Sequence, residues 1–131
     1  MKDKTVIVTG AARGLGQKYA LELSKAGALV VAADINSCEE TKKLIQEIGN
    51  DCLALELDVT DFNSCKSLIS KTLEKYNKVD VLINNAALYG TLKSSRFEDI
   101  DSDQWDRAMN VNAKGVWNCC RAVVPSMREQ K

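Results

Sequence analysis

Thr9-Gly10-Ala11-Ala12-Arg13-Gly14-Leu15-Gly16 constrains the fold more than any other stretch of this chain. It follows the apolar run Val6-Ile7-Val8 and opens an amphipathic pattern of helical period. A strand, a glycine turn and a helix N-terminus in that order leave backbone N–H groups pointing outward at the positive end of a helix dipole. Such an arrangement makes a site for a pyrophosphate. Glycine is needed there because a β-carbon disfavours positive φ and blocks close approach of a ligand. The spacing is Gly-x-x-x-Gly-x-Gly, which differs from the Gly-x-Gly-x-x-Gly of the general dinucleotide fingerprint.

Apolar runs alternate with helical patterns four times. Strands are expected at residues 4–9, 29–33, 52–57 and 79–83, and helices at residues 15–26, 38–48 and 61–76. The first helix is expected to turn Leu15, Tyr19, Ala20, Leu23 and Ala26 to one face and to stop at Gly27. Gly49 stops the second helix, and Thr60 or Asp61 caps the third. Short apolar runs separated by helices imply a doubly wound parallel α/β sheet. Right-handed crossovers then give the strand order 3-2-1-4, with a switch point between the first and fourth strands. Beyond Ile83 the pattern changes to a loop over residues 84–97 and a helix over 101–109 that Asp101 or Ser102 caps. A second helical stretch starts near Asn112, with a kink or break expected at Pro125.

With 131 residues the chain is long enough for one domain, expected to span 1–131, and too short for two. Lys and Arg together number 18, as do Asp and Glu, so no basic stripe points to nucleic acid or an anionic membrane surface. No histidine is present, which removes the commonest metal ligand and the commonest general base. The five cysteines, at 38, 52, 65, 119 and 120, show no metal-ligand spacing. They read as reduced packing thiols, and with a start that leads into a strand instead of a signal peptide they predict a soluble cytoplasmic protein.

The strand ends carry the polar residues. Asp34, closing the second strand, suits acceptance from both hydroxyls of an adenosine ribose and repels a 2′-phosphate; its alternative is a turn-capping role. Arg13 pulls the other way, either pairing with a 2′-phosphate or lying solvated. Asp58-Val59 ends the third strand, where the carboxylate suits the adenine amino group and Val59 the ring; plain turn chemistry is the alternative. Asn84-Asn85-Ala86-Ala87 follows the fourth strand at the switch point. Amides there tie neighbouring strand ends, and small alanines leave room for a flat ligand.

Thr9-Gly10-x-x-x-Gly14-x-Gly16, Asp34, Asp58-Val59, Asn84-Asn85-Ala86 and Trp105-Asp106…Val111-Asn112-x-x-Gly115 occur in the order and spacing of the short-chain dehydrogenase/reductase family. The whole chain resembles the N-terminal half of such a protein, departing at Ala87, where the family usually has glycine. The resemblance implies a Rossmann-like sheet truncated after the fourth strand and its following helix. It also implies hydride transfer between a nicotinamide and an alcohol or ketone. The implied cofactor residues are Thr9, Gly10, Arg13, Gly14, Leu15, Gly16, Asp34, Ile35, Asp58, Val59, Asn85, Ala86 and Ala87, with NAD favoured over NADP through Asp34. Asn112 belongs by resemblance to the catalytic group, bending its helix so that a main-chain carbonyl holds a water of the proton relay.

The family's catalytic serine and helical Tyr-x-x-x-Lys fall beyond Lys131, so the chain is expected to be a fragment or truncated product without turnover. Tyr89-Gly90-Thr91-Leu92-Lys93 spells the same pair, but in a loop, where the two side chains do not share a helix face. Leu88 and Tyr89 are read instead as pocket-lining residues, and Trp105 and Trp117 as helix packing. A non-catalytic nucleotide-binding or interaction module is the second reading, and a poorly folded remnant the third. An unpaired fourth strand and an apolar stripe of Val116, Trp117, Ala122, Val123 and Met127 predict self-association.

Overall fold

The computed structural model describes residues 1–130. Four parallel strands, β1 (Thr5–Thr9), β2 (Leu29–Asp34), β3 (Cys52–Glu56) and β4 (Val81–Ile83), form one sheet in the order β3-β2-β1-β4. Thr5 pairs with Leu29 and Thr9 with Ala33, while Val6, Ile7 and Val8 face Val81, Leu82 and Ile83 on the other side. The doubly wound arrangement and the strand order expected from the alternating pattern are therefore present.

Period-2 alternation splits the strand residues between two cores. Val6, Val8, Val30 and Ala32 pack beneath α1 (Gly14–Lys25) and α2 (Glu39–Glu47), while Ile7, Val31 and Ala33 face α3 (Phe62–Tyr76) and α5 (Gly115–Glu129). Every residue of β1 is buried, so the strand is apolar on both faces. Its larger side chains each contribute about 1.5–3 kcal/mol by leaving water. Asp61 caps α3 by accepting from the Asn63 N–H at 2.8 Å, and Asp101 caps α4 (Ser102–Met109) by accepting from the Gln104 N–H at 2.8 Å.

Several local expectations are corrected. Helix α1 buries Gly16, Ala20 and Ser24, whereas Leu15 is 67% exposed, Tyr19 43% exposed and Ala26 exposed. Small residues four apart let the helix backbone settle close over the sheet, which excludes the bulkier ones from that face. Strand β4 starts at Val81 instead of Val79, because the Asp80 carboxylate takes the Thr5 N–H at 2.8 Å before the regular ladder begins. Helix α5 passes through Pro125 without a break. Its flanking Val123 and Met127 are held against the α3 face, and the irregularity lies upstream as a π-helical turn over Asn110–Lys114.

The stripe expected along α5 is likewise divided. Val123 is buried, Ala122 and Met127 pack partly against the core, and Trp117 remains 54% exposed with Arg121 stacked on its ring. Trp105 is also 54% exposed, so each tryptophan leaves about half of its surface open to solvent. β4 occupies a sheet edge with one side unpaired. Among the described residues, no helix is long and apolar enough to cross a membrane.

Asp80 joins the starts of β1 and β4, accepting from Lys4 Nζ at 2.9 Å and Lys78 Nζ at 3.2 Å besides the Thr5 N–H. Burial alone pushes its carboxyl up, but the Thr5 N–H and the two lysines together hold it at about 2. A carboxylate depressed in the folded chain stabilises it above the unfolded value of about 4, and that contribution is lost as pH falls toward 2. Asp80→Asn should lower stability at pH 7 by about 1 kcal/mol and flatten the pH dependence between 4 and 2 in urea titrations. An unchanged acid limb in the variant would contradict this role.

Candidate functional site

The carboxyl ends of β1, β2, β3 and β4 open on one cleft of about 450 Å³. Gly10, Arg13, Gly14, Asp34, Ile35, Asp58, Val59, Asn85, Ala86 and Ala87 line it, as do Asn36, Leu57, Leu88 and Val111. Chain reversal at the switch point leaves this gap, because the elements after β1 and β4 depart to opposite sides of the sheet.

The glycine turn is built by steric necessity. Gly10 and Gly14 have φ of +68° and +59°, in the left-handed region that side chains disfavour. Gly16 is helical, yet a Cβ there would stand 2.1 Å from the Gly10 carbonyl oxygen and 2.6 Å from Asn85 Nδ2. A Cβ on Gly14 meets nothing within 4 Å, so Gly14 faces open space. Arg13 is extended and supplies no side-chain cap to α1. The first turn of α1 therefore opens beside the cleft at Gly14 without a capping side chain, and the helix dipole adds positive character there.

Thr9, Leu15 and Gly16 do not line the cleft and act differently. Thr9 Oγ1 accepts from the Asn85 and Ala86 N–H groups, each at 3.0 Å, while Asn85 Nδ2 donates to the Thr9 and Gly10 carbonyls at 3.0 and 3.2 Å. These bonds join the ends of β1 and β4 under the turn. Gly16 supplies the close approach, and Leu15 points to solvent. Asn84 turns away and donates to Cys120 Sγ at 3.4 Å.

Asp34 is held from both sides. Its Oδ2 accepts from the Ala12 N–H at 3.0 Å, and its Oδ1 accepts from the Asn36 N–H at 2.9 Å. Oδ1 also accepts from Asn36 Nδ2 at 3.3 Å, so the carboxylate is fixed on the rim of the cleft with acceptor capacity left on Oδ2. Arg13 is exposed beside it and makes no ion pair among the described residues. Asp58 is half turned to local structure: its Oδ1 accepts from the Thr60 N–H at 2.8 Å and the Thr60 hydroxyl at 2.7 Å. Its second oxygen takes no such bond among the described residues.

Val59 both lines the cleft and fills the space beside α5. A Cβ on Gly115 would stand 2.6 Å from Val59 Cγ2, so glycine lets α5 close on the β3–α3 turn. Asn118, one turn on and 1% exposed, donates from Nδ2 to the Val59 and Thr60 carbonyls at 2.8 and 3.3 Å. Sequence reasoning gave Val111 and Gly115 a place in a motif but no task, and it missed Asn118, Asn36 and Leu57. The spacing of Gly115, Asn118, Cys119, Ala122 and Val123 was the available signal, since these residues share one helix face.

Asn112 lies within the π-helical turn, where the Gly115 N–H reaches back to the Asn110 carbonyl. Its exposed side chain pairs with the backbone of Leu88, Oδ1 accepting from the N–H at 2.7 Å and Nδ2 donating to the carbonyl at 3.0 Å. The loop after β4 is thereby fixed to the bend. Tyr89 is 85% exposed and does not line the cleft, whereas Leu88 does. Tyr89 and Leu92 close a turn by a 3.1 Å backbone bond, so Tyr89 and Lys93 do not share a helix.

Comparison with known proteins agrees with this architecture. The model of the short chain dehydrogenase family matches residues 4–131. The oxidoreductase UcpA of Salmonella typhimurium is 34% identical over 100% of this chain and 49% of its own length. The 3-oxoacyl-(acyl-carrier-protein) reductase FabG of Staphylococcus aureus is 32% identical over 98% of this chain and 52% of its own. A solved structure described as a short-chain alcohol dehydrogenase, from Sinorhizobium meliloti, superposes with a TM-score of 0.88 at 32% identity, covering 98% of this chain and 51% of that one. The chain spans about half the length of the relatives it matches. It belongs to the short-chain dehydrogenase family of oxidoreductases.

Proposed function

We propose that the cleft binds the adenosine and pyrophosphate portion of a nicotinamide cofactor, NAD in preference to NADP, for a parent oxidoreductase acting on an alcohol or ketone. The observation that carries this reading is the uncapped N-terminus of α1 opening beside Gly14, on the same cleft as the fixed Asp34 carboxylate. The donor set fits the group: free N–H groups and a helix dipole suit the pyrophosphate, and an anchored carboxylate suits ribose hydroxyls. Gly14 would lie against the pyrophosphate, with Gly10 and Gly16 shaping the turn around it. Asp34 and Ile35 would hold the adenosine ribose, and the free oxygen of Asp58 the adenine amino group. Asn85, Ala86 and Ala87 would border the nicotinamide end. When bound, the cofactor supplies or accepts the hydride.

In the parent enzyme Asn112 would serve the catalytic group as a positioning residue. By fixing the bend and the Leu88 backbone, it sets where the freed main-chain carbonyl presents itself to the proton relay. Among the described residues no serine stands with a helical Tyr-x-x-x-Lys arranged for proton transfer. We read the chain as a single cofactor-binding domain, cytoplasmic in keeping with its five free thiols, and inactive alone.

Asp34 decides the cofactor because a negative charge fixed near the ribose disfavours a 2′-phosphate. Isothermal titration with NAD and NADP should show tighter binding of NAD, and Asp34→Asn should reduce the NAD-to-NADP ratio about 10-fold or more. A ratio unmoved by that substitution would remove Asp34 from the ribose site. Gly14→Ala should destabilise the chain by only about 1 kcal/mol of left-handed strain while abolishing measurable nucleotide binding. Retained affinity would place the pyrophosphate elsewhere.

Self-association is proposed through the unpaired edge of β4 and the exposed aromatic surface at Trp105 and Trp117. Light scattering at ~100 μM, where a micromolar interface is filled, should report a mass above that of the monomer. A clean monomer at that concentration would count against it.

A further inference from the structure

We propose that Cys65 and Cys119 form a dithiol site that a peroxide-class oxidant converts into a disulfide, tying α3 to α5 beneath the Asp58–Val59 wall of the cleft. The two sulfurs lie 3.7 Å apart, 54 residues from each other in sequence, on helices that pack face to face. Both are buried, at 0% and 2% exposure, so neither is drawn outward by solvent. A disulfide needs a separation of about 2.05 Å, a closure of roughly 1.6 Å that side-chain rotation and a small slide of α5 supply. Cys65 Sγ also lies 3.8 Å from the Val59 carbonyl and 4.0 Å from that of Asp58. Asn118, adjacent to Cys119, donates to the same Val59 carbonyl. The pair thus shares a backbone group with the residues that line the cleft.

The other cysteines are poorer candidates. Burial pushes the Cys38 thiol up to about 12 and the Cys52 thiol up to about 11, and among the described residues each faces a backbone carbonyl and not a second thiol. Cys120 is half-buried and accepts from Asn84. The hydrogen bond between the two thiols lowers the pKa of Cys65 and raises that of Cys119, which makes Cys65 the attacking sulfur of the pair.

The chemistry balances with one equivalent of hydrogen peroxide. The Cys65 thiolate attacks a peroxide oxygen, the O–O bond breaks, and an S–O bond forms, giving a sulfenic acid and a hydroxide, which takes the proton released when the Cys65 thiol ionised and becomes one water. The Cys119 thiol then attacks that sulfur, the S–O bond breaks, and hydroxide leaves with the Cys119 proton as a second water. The two sulfurs are oxidised by two electrons in total and the peroxide is reduced by two. With both sulfurs buried, the oxidant reaches them by local opening of the contact between α3 and α5, the route this proposal requires.

Native chain is exposed to hydrogen peroxide, quenched with N-ethylmaleimide in denaturant, and mapped under non-reducing conditions after trypsin and Asp-N digestion. Asp-N protease separates Cys52 from Cys65. The expected product is a monomer with a Cys65–Cys119 peptide pair two hydrogens lighter than its thiol form. Its thermal midpoint should rise by about 10 °C and return on adding dithiothreitol. Cys120→Ser should leave the cross-link and the shift intact and make the sulfur partner unambiguous, while Cys119→Ser should abolish both. Where a variant does not fold, the wild-type map still shows whether Cys65 is joined to the peptide that carries Cys119 and Cys120, and fragmentation between those two residues in the mass spectrometer assigns the sulfur. A map containing only Cys119–Cys120 or Cys38–Cys52 pairs, only Cys120-linked dimers, or no lost thiols would overturn it.

Discussion

The close approach of Gly16 to the Gly10 carbonyl is the constraint on which the rest of the structure depends. With no β-carbon at Gly16, the start of α1 drops onto the end of β1, and Asn85 Nδ2 reaches both the Thr9 and Gly10 carbonyls from β4. A Cβ on Gly10 would stand 2.8 Å from Ala86 Cα, so β4 closes on the turn for the same reason. One tight node thus fixes the helix direction, the two central strand ends and the floor of the cleft. The anion-favouring end of α1 is left open because packing, instead of a capping side chain, determines where the helix begins.

The opposite wall is made by a second close approach. Gly115 admits α5 against Val59, and Asn118 then satisfies the Val59 and Thr60 carbonyls that the turn would otherwise leave buried and unpaired. The π-helical turn just before Gly115 adjusts the path of the chain so that α5 packs on α3 while Asn112 remains at the bend to grip Leu88. The wall at Asp58 and Val59 and the wall at Leu88 are therefore connected through one helix. That connection gives the buried Cys65–Cys119 pair its leverage: a bond between α3 and α5 bears on the residues of the cleft without touching a ligand.

What the sequence revealed follows from how local each signal was. Alternating apolar runs and glycine stops located the strands and their order, because burial on both faces leaves a strong pattern in a parallel sheet. Gly10, Gly14 and Asp34 were legible through turn chemistry at strand ends. The exposed face of α1 was not, since Leu15 and Tyr19 look like core by period and only the needs of close packing put Gly16, Ala20 and Ser24 inward. Pro125 looked like a helix breaker, yet tertiary packing on both sides of it held α5 together, while the irregularity at Asn110–Lys114 was expected through the family resemblance at Asn112 and not from the local pattern. Asn118 was invisible because its partners are carbonyls more than fifty residues away.

The most direct test of the central claim is a titration of isotopically labelled chain with ADP-ribose, followed through its backbone amide resonances. The account predicts saturable shifts concentrated at Gly14, Leu15 and Gly16 in the first turn of α1 and at Asp34, Ile35 and Asp58, with the far ends of the strands unmoved. Shifts confined to other surfaces, or none at millimolar ligand, would contradict the assignment of this cleft as a dinucleotide site.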